Sequence, residues 1–364
     1  MKFKLHQSNF LEALNSVQGV VGSRASLPVL SNVLITAEGE NLTFTTTDFD
    51  ITMRYTCKAE ILEPGAITLP VKRLTSIVRE LSDQIVEISS DPKQDEAVRM
   101  VCGSYKSKIT GIPAKEFPPV VDAEGGTAYK MEQASFKEML KKTSYAAATD
   151  DSRPILTGVL LSFSEGKLTG VATDGRRLAL FWNEVEFPEE NTRDVVLPPR
   201  AVVELLRSLD EGELRMTIKD TQIIFEYGNR FFSSKLMSGN YPNYKQIVFT
   251  DCEKKITINR DELLSVLRRI NVSTTPTTNA MRLTFEDNLL TITVTSPDVD
   301  EATDTVAIKY GGEPLVAIFN PEFMMEPLRN LTSDDVTIEL NNGSTPGLIK
   351  DGTNFLYVIM PLRV

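Results

Sequence analysis

The stretch LPVLSNVLITAEGENLTFTTTD, from Leu27 to Asp48, recurs 126 residues later as RPILTGVLLSFSEGKLTGVATD, from Arg153 to Asp174. A third and weaker copy, TTNAMRLTFEDNLLTITVTS, runs from Thr277 to Ser296. Self-similarity at a fixed spacing is typical of chains built from repeated structural units. The sequence therefore predicts three similar domains. Their expected boundaries are 1–125, 126–250 and 251–364.

Each copy is followed by a short apolar segment, a proline and a helical pattern. In AITLPVKRLTSIVREL, at 66–81, Leu74, Val78 and Leu81 have the spacing of a helix with one buried face. A second helix lies upstream of each copy, with candidate N-caps at Ser8, Ser135 and Asn259. The six predicted helices are 7–18, 72–81, 135–145, 198–208, 260–270 and 320–330.

Segments of alternating polarity, rich in β-branched residues, lie between these helices and predict strands. The order strand, helix and three strands then occurs twice in each domain. We therefore expect an α+β fold in which every domain contains two βαβββ units, with helices covering one face of antiparallel sheets.

Charge is unevenly distributed along the chain. The 364 residues carry 39 Lys and Arg against 50 Asp and Glu, for a net charge of −11. The six predicted helices nevertheless sum to +4, and all other residues sum to −15. Mixed charge on one helix is usually only a solvated face. The same bias summed over six helices favours a surface that contacts the phosphates of a polyanion without reading bases.

The composition argues against catalysis. The single histidine, His6, excludes a His-based triad or a multi-His metal site within one chain, and we expect it at the surface or at a strand edge. There is no phosphate-binding GxxxxGK[ST] loop, GxGxxG turn or GxSxG elbow. We therefore expect no catalytic residue, no metal and no cofactor.

Three separated cysteines without a CxxC pair suit a reducing compartment. No apolar run reaches the roughly 18 residues needed to span a bilayer, and no signal-peptide core follows the first residues. These features predict a cytoplasmic protein without membrane contact.

Two other classes of function stay open at this point. Asp150, Asp151 and Asp174 could hold a divalent cation in a metal-dependent enzyme, although short acidic pairs between strands are more often turn formers. A repeat scaffold that binds proteins but not DNA is the second alternative. Nuclease and phosphatase assays with Mg²⁺ or Mn²⁺ would test the first, and retention on circular DNA would test the second.

Four segments carry a resemblance to a known family. They are SRPILTGVLL at 152–161, ATDGRRLAL at 172–180, GNYPNY at 239–244 and YVIMPLRV at 357–364. In this order and spacing the chain resembles the bacterial DNA polymerase III beta subunits, the sliding clamps, over its whole length. The resemblance implies the DNA-clamp fold and a head-to-tail homodimer, a ring of six domains around duplex DNA with helices inside and sheets outside.

The resemblance also implies a processivity factor without chemistry of its own. Such a clamp binds DNA independently of sequence and tethers the DNA polymerase III alpha subunit, the clamp loader and other proteins with clamp-binding motifs. Geometry favours two chains per ring, because a 120-residue domain is roughly 35 Å across. Three such spheres leave a hole of about 5 Å and six leave about 35 Å, whereas duplex DNA is about 20 Å wide.

Three sets of site residues follow from the charge pattern and the resemblance. The expected DNA-binding residues are Arg24, Lys72, Arg73, Arg79, Lys137, Lys141, Lys142, Arg153, Arg200 and Arg207. An apolar pocket for partner peptides is expected between the second and third domains. Its residues are Arg153, Leu156, Thr173, Gly175, Arg176, Leu178, Pro242, Ile247, Phe323, Ser344, Val358, Met360, Pro361, Leu362 and Arg363.

The dimer interface is expected at the edge of the segment KSKITGIP, because an exposed strand edge invites pairing with another chain. Its residues are Lys106, Lys108 and Ile109, facing Ile270 and Val272 of the third domain. Arg176 stands where the family often has histidine, and Pro154 and Ile155 stand where some members have aromatic residues that touch DNA. The resemblance therefore does not carry a specific DNA contact over to positions 154 and 155.

Overall fold

A computed structural model describes residues 1–22, 27–91, 94–120, 124–150, 152–248, 252–274, 280–296 and 299–362. All six predicted helices are confirmed, with ends that differ from the prediction by at most two residues. They are α1 Gln7–Val17, α2 Val71–Glu80, α3 Gln133–Thr143, α4 Pro199–Ser208, α5 Arg260–Asn271 and α6 Pro321–Asn330. None of these helices is long and apolar enough to cross a membrane.

The strands follow the threefold repeat. The first repeat holds β1 Lys2–His6, β2 Asn32–Glu38, β3 Asn41–Thr47, β4 Ile51–Lys58, β5 Glu60–Glu63, β6 Gly65–Pro70, β7 Ile85–Asp91, β8 Gln94–Cys102, β9 Tyr105–Thr110 and β10 Ile112–Pro113. The second holds β11 Thr127–Glu132, β12 Val159–Ser164, β13 Lys167–Thr173, β14 Arg177–Glu184, β15 Arg193–Leu197, β16 Glu213–Ile218, β17 Gln222–Tyr227 and β18 Arg230–Lys235. The third holds β19 Lys254–Asn259, β20 Met281–Glu286, β21 Leu289–Ser296, β22 Val299–Lys309, β23 Leu315–Phe319, β24 Asp335–Leu340, β25 Gly347–Asp351 and β26 Phe355–Ile359.

The order of elements confirms two βαβββ units in each repeat. In the second repeat, for example, β11, α3 and β12 to β14 form one unit, and β15, α4 and β16 to β18 form the other. The strand pairs are antiparallel, and each helix buries one face. In α2 this face is Val71, Leu74 and Val78, as the sequence spacing predicts.

The chain divides into two compact units, Met1–Ala134 with Val203–Leu236 and Ser135–Val202 with Met237–Val364. The second repeat contributes strands to both units. In the first unit a nine-stranded sheet has the order β10-β6-β2-β3-β4-β18-β17-β16-β11, and a five-stranded sheet has the order β5-β1-β7-β8-β9. In the second unit twelve strands follow the order β15-β12-β13-β14-β26-β25-β24-β19-β22-β21-β20-β23.

Two strand pairs therefore join successive repeats within a unit. The first junction is the β4–β18 pair, in which Tyr55 lies opposite Arg230. The second junction is the β14–β26 pair, in which Phe181 lies opposite Phe355. Both pairs are antiparallel, so a sheet continues from one repeat into the next.

One of the three predicted N-caps is confirmed and two are wrong. Asn259 does cap α5, since its side chain accepts a hydrogen bond from the Glu262 N–H at 3.0 Å. Ser8 and Ser135 do not cap α1 and α3, because both lie inside the first turn. The glutamine at the first position of each helix anchors the helix start instead. Gln7 Nε2 donates to the Val78 carbonyl at 2.7 Å, and Gln133 Nε2 donates to the Glu211 carbonyl at 2.6 Å.

Candidate functional site

The floor of the predicted pocket lies at the second junction. Leu178 on β14 and Val358 on β26 are opposite each other in the sheet, and each is only 1% exposed. They belong to one buried cluster, against which Ile155, Tyr241 and Tyr244 pack. The segments SRPILTGVLL, ATDGRRLAL, GNYPNY and YVIMPLRV thus all contribute to this cluster.

The chain end is docked beside this floor. The Met360 N–H donates to the Arg176 carbonyl at 3.0 Å, and the Leu362 N–H donates to the Ile318 carbonyl at 2.8 Å. The Met360 side chain is nevertheless 43% exposed, and Leu362 and Ile247 are exposed to a similar extent. Backbone order combined with exposed apolar side chains is the arrangement that a peptide groove needs.

The other predicted pocket residues divide into buried and accessible groups. Leu156 and Thr173 are buried, and the Thr173 hydroxyl donates to the Arg177 carbonyl at 2.5 Å. The accessible residues are Gly175, Arg176, Pro242 and Ser344, with Phe323 and Pro361 half-buried. Arg363 lies outside the described residues.

Gly175 has a positive φ of 86°, a backbone conformation that residues other than glycine rarely adopt. A Cβ at this position would also lie 2.6 Å from the Arg153 guanidinium, which donates to the Asp174 carbonyl at 3.2 Å. Arg153 therefore lies against the turn 174–176, beside the predicted pocket residues Gly175 and Arg176. The Arg153 side chain is exposed.

The sequence reasoning missed Arg177, which is the central buried charge of the second junction. Arg177 Nε donates to Asp174 at 3.0 Å, and a terminal nitrogen contacts Glu326 of α6. The guanidinium also lies 4.2 Å from the centroid of the Phe323 ring. One side chain thus ties the pocket turn of the second repeat to α6 of the third. Its signal in the sequence was the pattern break at 177, where the first repeat has Ile51.

Two tyrosines lie next to this cation. The Tyr357 hydroxyl donates to the Phe323 carbonyl at 2.8 Å, and the Tyr145 and Tyr357 ring centroids are 6.1 Å apart. Burial raises the pKa of both hydroxyls well above the ordinary tyrosine value, although the Arg177 charge acts in the opposite direction. Both phenols are therefore neutral at physiological pH, and Tyr357 serves in packing and hydrogen bonding whereas Tyr145 serves in packing.

Most of the predicted DNA-binding residues are accessible. Lys72, Arg73 and Arg79 lie on exposed positions of α2, where Lys72 Nζ donates to the Gly22 carbonyl at 3.2 Å. Lys141 and Arg200 are also exposed, Lys137 is half-buried, and Arg207 pairs with Glu204 at 2.8 Å. Arg24 lies outside the described residues.

Lys142 is a correction to the predicted DNA-binding set. Its side chain is buried, with Nζ 2.8 Å from Glu138 and 3.6 Å from Asp351. The ammonium also lies 4.8 Å from the centroid of the Phe181 ring. A buried, doubly paired ammonium cannot contact a phosphate without breaking the core, so Lys142 is a structural residue of the second junction.

The predicted dimer residues also divide. β9 lies at the edge of its sheet, and Lys106 and Lys108 are exposed on it. Ile109 and Ile270 are corrections, because both side chains are buried in the core of the chain itself. Val272, just after α5, is 84% exposed.

The acidic residues considered for a metal site have other partners. Asp150 accepts hydrogen bonds from the backbone and hydroxyl of Ser152, which lower the pKa of its carboxyl group. Asp174 pairs with Arg177, and Asp151 lies outside the described residues. Across the described part of the chain, no group of three or more His, Cys, Asp or Glu side chains is placed to hold a metal ion.

Comparison with protein families gives three matches in chain order. Residues 1–122 match the DNA polymerase III beta subunit N-terminal domain, 130–243 its central domain and 245–363 its C-terminal domain. Beta sliding clamps from Chlamydia muridarum and Pseudomonas aeruginosa are 31% and 30% identical to the chain. Each alignment covers all of this chain and 99% and 100% of the relative, respectively.

Solved structures agree with these matches. The Pseudomonas aeruginosa DNA polymerase III subunit beta superposes with a TM-score of 0.94 at 30% identity, over the whole of both chains. A Bartonella birtlesii sliding clamp solved with bound griselimycin gives a TM-score of 0.94 at 31% identity, again over both whole chains. The chain therefore belongs to the DNA polymerase III beta subunit family, the beta sliding clamps.

Proposed function

We propose that two copies of this chain close head to tail into a ring around duplex DNA. The ring then holds the replicative polymerase, the clamp loader and other partners through short peptides at the second junction. It acts in the cytoplasm without catalysis of its own, and its domains are 1–125, 126–250 and 251–364. The observation that carries the proposal is the repeated strand junction, which occurs twice within the chain and leaves β9 and β22 as the two equivalent strands without such a junction.

The positions of β9 and β22 in the repeat support ring closure. At both junctions the last strand of the first βαβββ unit of one repeat pairs with the last strand of the second unit of another repeat, β4 with β18 and β14 with β26. Two such last strands remain, β22 in the first unit of the third repeat and β9 in the second unit of the first repeat, and β9 is a sheet edge. β22 pairs with β19 only at Ile308 and Lys309. Pairing β22 with β9 of a second copy, twice, would complete the series.

Charge supports the same pairing. β9 presents Lys106 and Lys108, whereas β22 carries Glu301 and Asp304. Asp304 already accepts from Arg269 at 2.7 Å, an interaction that lowers the pKa of its carboxyl group and keeps it ionised. Opposite charges on two different strand edges favour a heterologous contact over self-pairing of either edge.

Charge reversal on β9 tests the assembly. The variant K106E/K108E should sediment as a 40.5 kDa monomer, because it sets two acids against the acids of β22. K58E, on an exposed lysine of β4 that pairs with Glu40, is the matched control and should remain dimeric. Persistence of the K106E/K108E dimer on dilution would refute this interface. The core position Ile109 is unsuitable for such a test.

DNA binding rests on the exposed cations of α2 and α3. Each phosphate that these side chains neutralise should contribute about −0.9 to the log–log salt slope of binding. The variant K72E/R73E/R79E/K141E should lose retention on circular DNA while its dimer remains intact. Normal retention at low salt would overturn the assignment of these helices to the DNA surface, and no retention of the native chain would favour the protein-only scaffold.

Deletion of the last five residues tests the pocket. Removal of Met360 to Val364 should abolish peptide binding and polymerase stimulation but leave dimerisation unchanged. A related clamp is known to bind the ligand griselimycin, which supports a ligand-accepting surface in this family. If the deletion lowers the melting temperature of the chain sharply, these residues are core and the pocket loses its main support.

A further inference from the structure

The first junction reproduces the backbone of the pocket at the second junction. The Lys235 N–H donates to the Asp50 carbonyl at 2.8 Å, as the Met360 N–H donates to the Arg176 carbonyl at 3.0 Å. The turns before β4 and β14 also begin with the same hydrogen-bonding residues, Thr47 and Thr173 followed by Asp48 and Asp174. The chain therefore contains two copies of one backbone framework.

The floors of the two copies differ in polarity. At the second junction, Leu178 lies opposite Val358. The equivalent cross-strand pair at the first junction is Thr52 and Ser233, both buried. The Thr52 hydroxyl shares a hydrogen bond with Thr47 at 2.9 Å. An apolar anchor seated here would meet hydroxyl groups where the second junction offers only carbon.

The rims differ in charge. Lys235 Nζ pairs with Asp50 at 2.9 Å across the mouth of the first junction. The equivalent positions at the second junction are Met360 and Arg176, whose side chains are both exposed. Covering the Asp50–Lys235 pair with an apolar peptide would remove two charges from water. A flexible thioether carries no such cost and adapts to different side chains.

The turns differ in the residue that they place at positive φ. Gly175 has φ of 86°, and the equivalent Phe49 has φ of 76°. The second junction uses the space left by the missing Cβ for the Arg153 guanidinium. At the first junction the equivalent of Arg153 is Leu27, and Phe49 adds an aromatic ring that is 49% exposed. A phenylalanine at positive φ is strained, so its presence here calls for a reason beyond folding.

We propose that the first junction is a copy of the partner pocket that Phe49, Asp50, Thr52, Ser233 and Lys235 keep closed to apolar peptides. This inference rests on the proposed function of the second junction. The five side chains restrict peptide binding to one site per chain although the framework occurs twice. Specificity of this kind comes from elements that reject a ligand as well as from those that bind it.

Transplanting the second-junction side chains onto the first junction tests this proposal. The variant F49G/D50R/T52L/S233V/K235M should bind two apolar peptides per chain, where the native chain binds one. The probe is a short synthetic peptide with two apolar anchor side chains, and the readout is the stoichiometry measured by calorimetry. Adding M360D/L362D to the native chain should abolish binding, whereas adding it to the transplant should leave one peptide per chain.

The outcomes separate the two proposals. If the native chain binds no peptide, the proposed pocket fails and this inference fails with it. If the native chain binds one peptide and the folded transplant also binds one, the pocket stands and the inference is overturned. If the transplant does not fold, the exposed reciprocal variant R176D/M360K decides. It should weaken peptide binding at least tenfold, and unchanged binding would refute the closing role of these positions.

Discussion

The two junctions place a cation against a helix acid and an aromatic ring in opposite ways. At the second junction the helix supplies it, since Lys142 of α3 pairs with Glu138 and lies over the Phe181 ring. At the first junction the strand supplies it. Arg230 of β18 pairs with Glu12 of α1 at 3.7 Å and lies 5.5 Å from the centroid of the Tyr55 ring.

The acid and the aromatic ring occupy the same repeat positions in both junctions, but the cation has moved. Ser16 takes the place of Lys142 on the helix, and Phe355 takes the place of Arg230 on the strand. The repeated backbone therefore specifies that a helix, a ring and a carboxylate meet, without specifying which element brings the positive charge. Function can diverge between junctions for the same reason.

The largest expected effect is at Arg177. Converting it to the first-junction residue, R177I, leaves Asp174 and Glu326 without their shared cation. Removal of one partner from a buried ion pair costs about 3–5 kcal/mol, so the free energy of unfolding should fall by that amount in urea titrations. I51A, at the equivalent buried position, serves as a control for lost volume alone. A stability of R177I equal to that of the native chain would show that the ion cluster is not structural.

Lys142 should behave as the cation of its junction. K142A leaves the buried carboxylate of Asp351 unpaired, and we expect a loss of about 3 kcal/mol in the free energy of unfolding. The neighbouring K141A, on an exposed residue, should change the stability by less than about 0.5 kcal/mol. The swap K142S/F355R imitates the first junction and should recover part of the loss. If K142S/F355R is no more stable than K142A, the cation cannot be moved from the helix to the strand, and the equivalence of the two junctions is wrong.

Alkaline pH should act on the second junction through Tyr357, whose equivalent at the first junction is Phe232. Burial raises the pKa of Tyr357 above the ordinary value of 10.0. The neutral phenol therefore favours the folded state. This contribution is complete below pH 10 and is lost as the pH rises toward the folded-state pKa.

The variant Y357F should remove this sensitivity. Each titrating tyrosine contributes about 1.4 kcal/mol per pH unit to the fall in stability above pH 10, and the variant should decline less steeply by that amount. Unfolding in urea at successive pH values measures the slope. Parallel slopes for the native chain and Y357F would contradict the buried placement of this hydroxyl.

The smallest effect on stability is expected at the rim of the first junction. Asp50 and Lys235 are both largely exposed, and exposed ion pairs contribute about 0–1 kcal/mol. D50N should therefore lower the free energy of unfolding by no more than that range, and 1 M salt should abolish any difference from the native chain. A larger loss of stability would mean that the pair also stabilises the fold of the junction, in addition to excluding apolar peptides.

The sequence repeat predicted the fold well because helix spacing and strand alternation are local properties. Leu178 and Val358 were named from the family resemblance and not from the repeat, whose equivalent positions at the first junction are Thr52 and Ser233. Lys142 and Arg177 were not predictable in the same way. Their partners Asp351 and Glu326 come from the third repeat, so their burial depends on contacts that no local pattern reports. The only signal was a charged residue where the first repeat has Ser16 or Ile51.

The pairing of β4 with β18 has a consequence for synthesis on the ribosome. The Asp50–Lys235 contact at this junction joins residues 185 apart in sequence. At translation rates of 5–20 residues per second, the edge of β4 waits roughly 10–40 s for its partner strand. During that interval the nascent chain exposes a strand edge that could pair with a neighbouring polypeptide on the same polysome. The continuity that joins two repeats in the finished protein is thus a period of aggregation risk while the protein is being made.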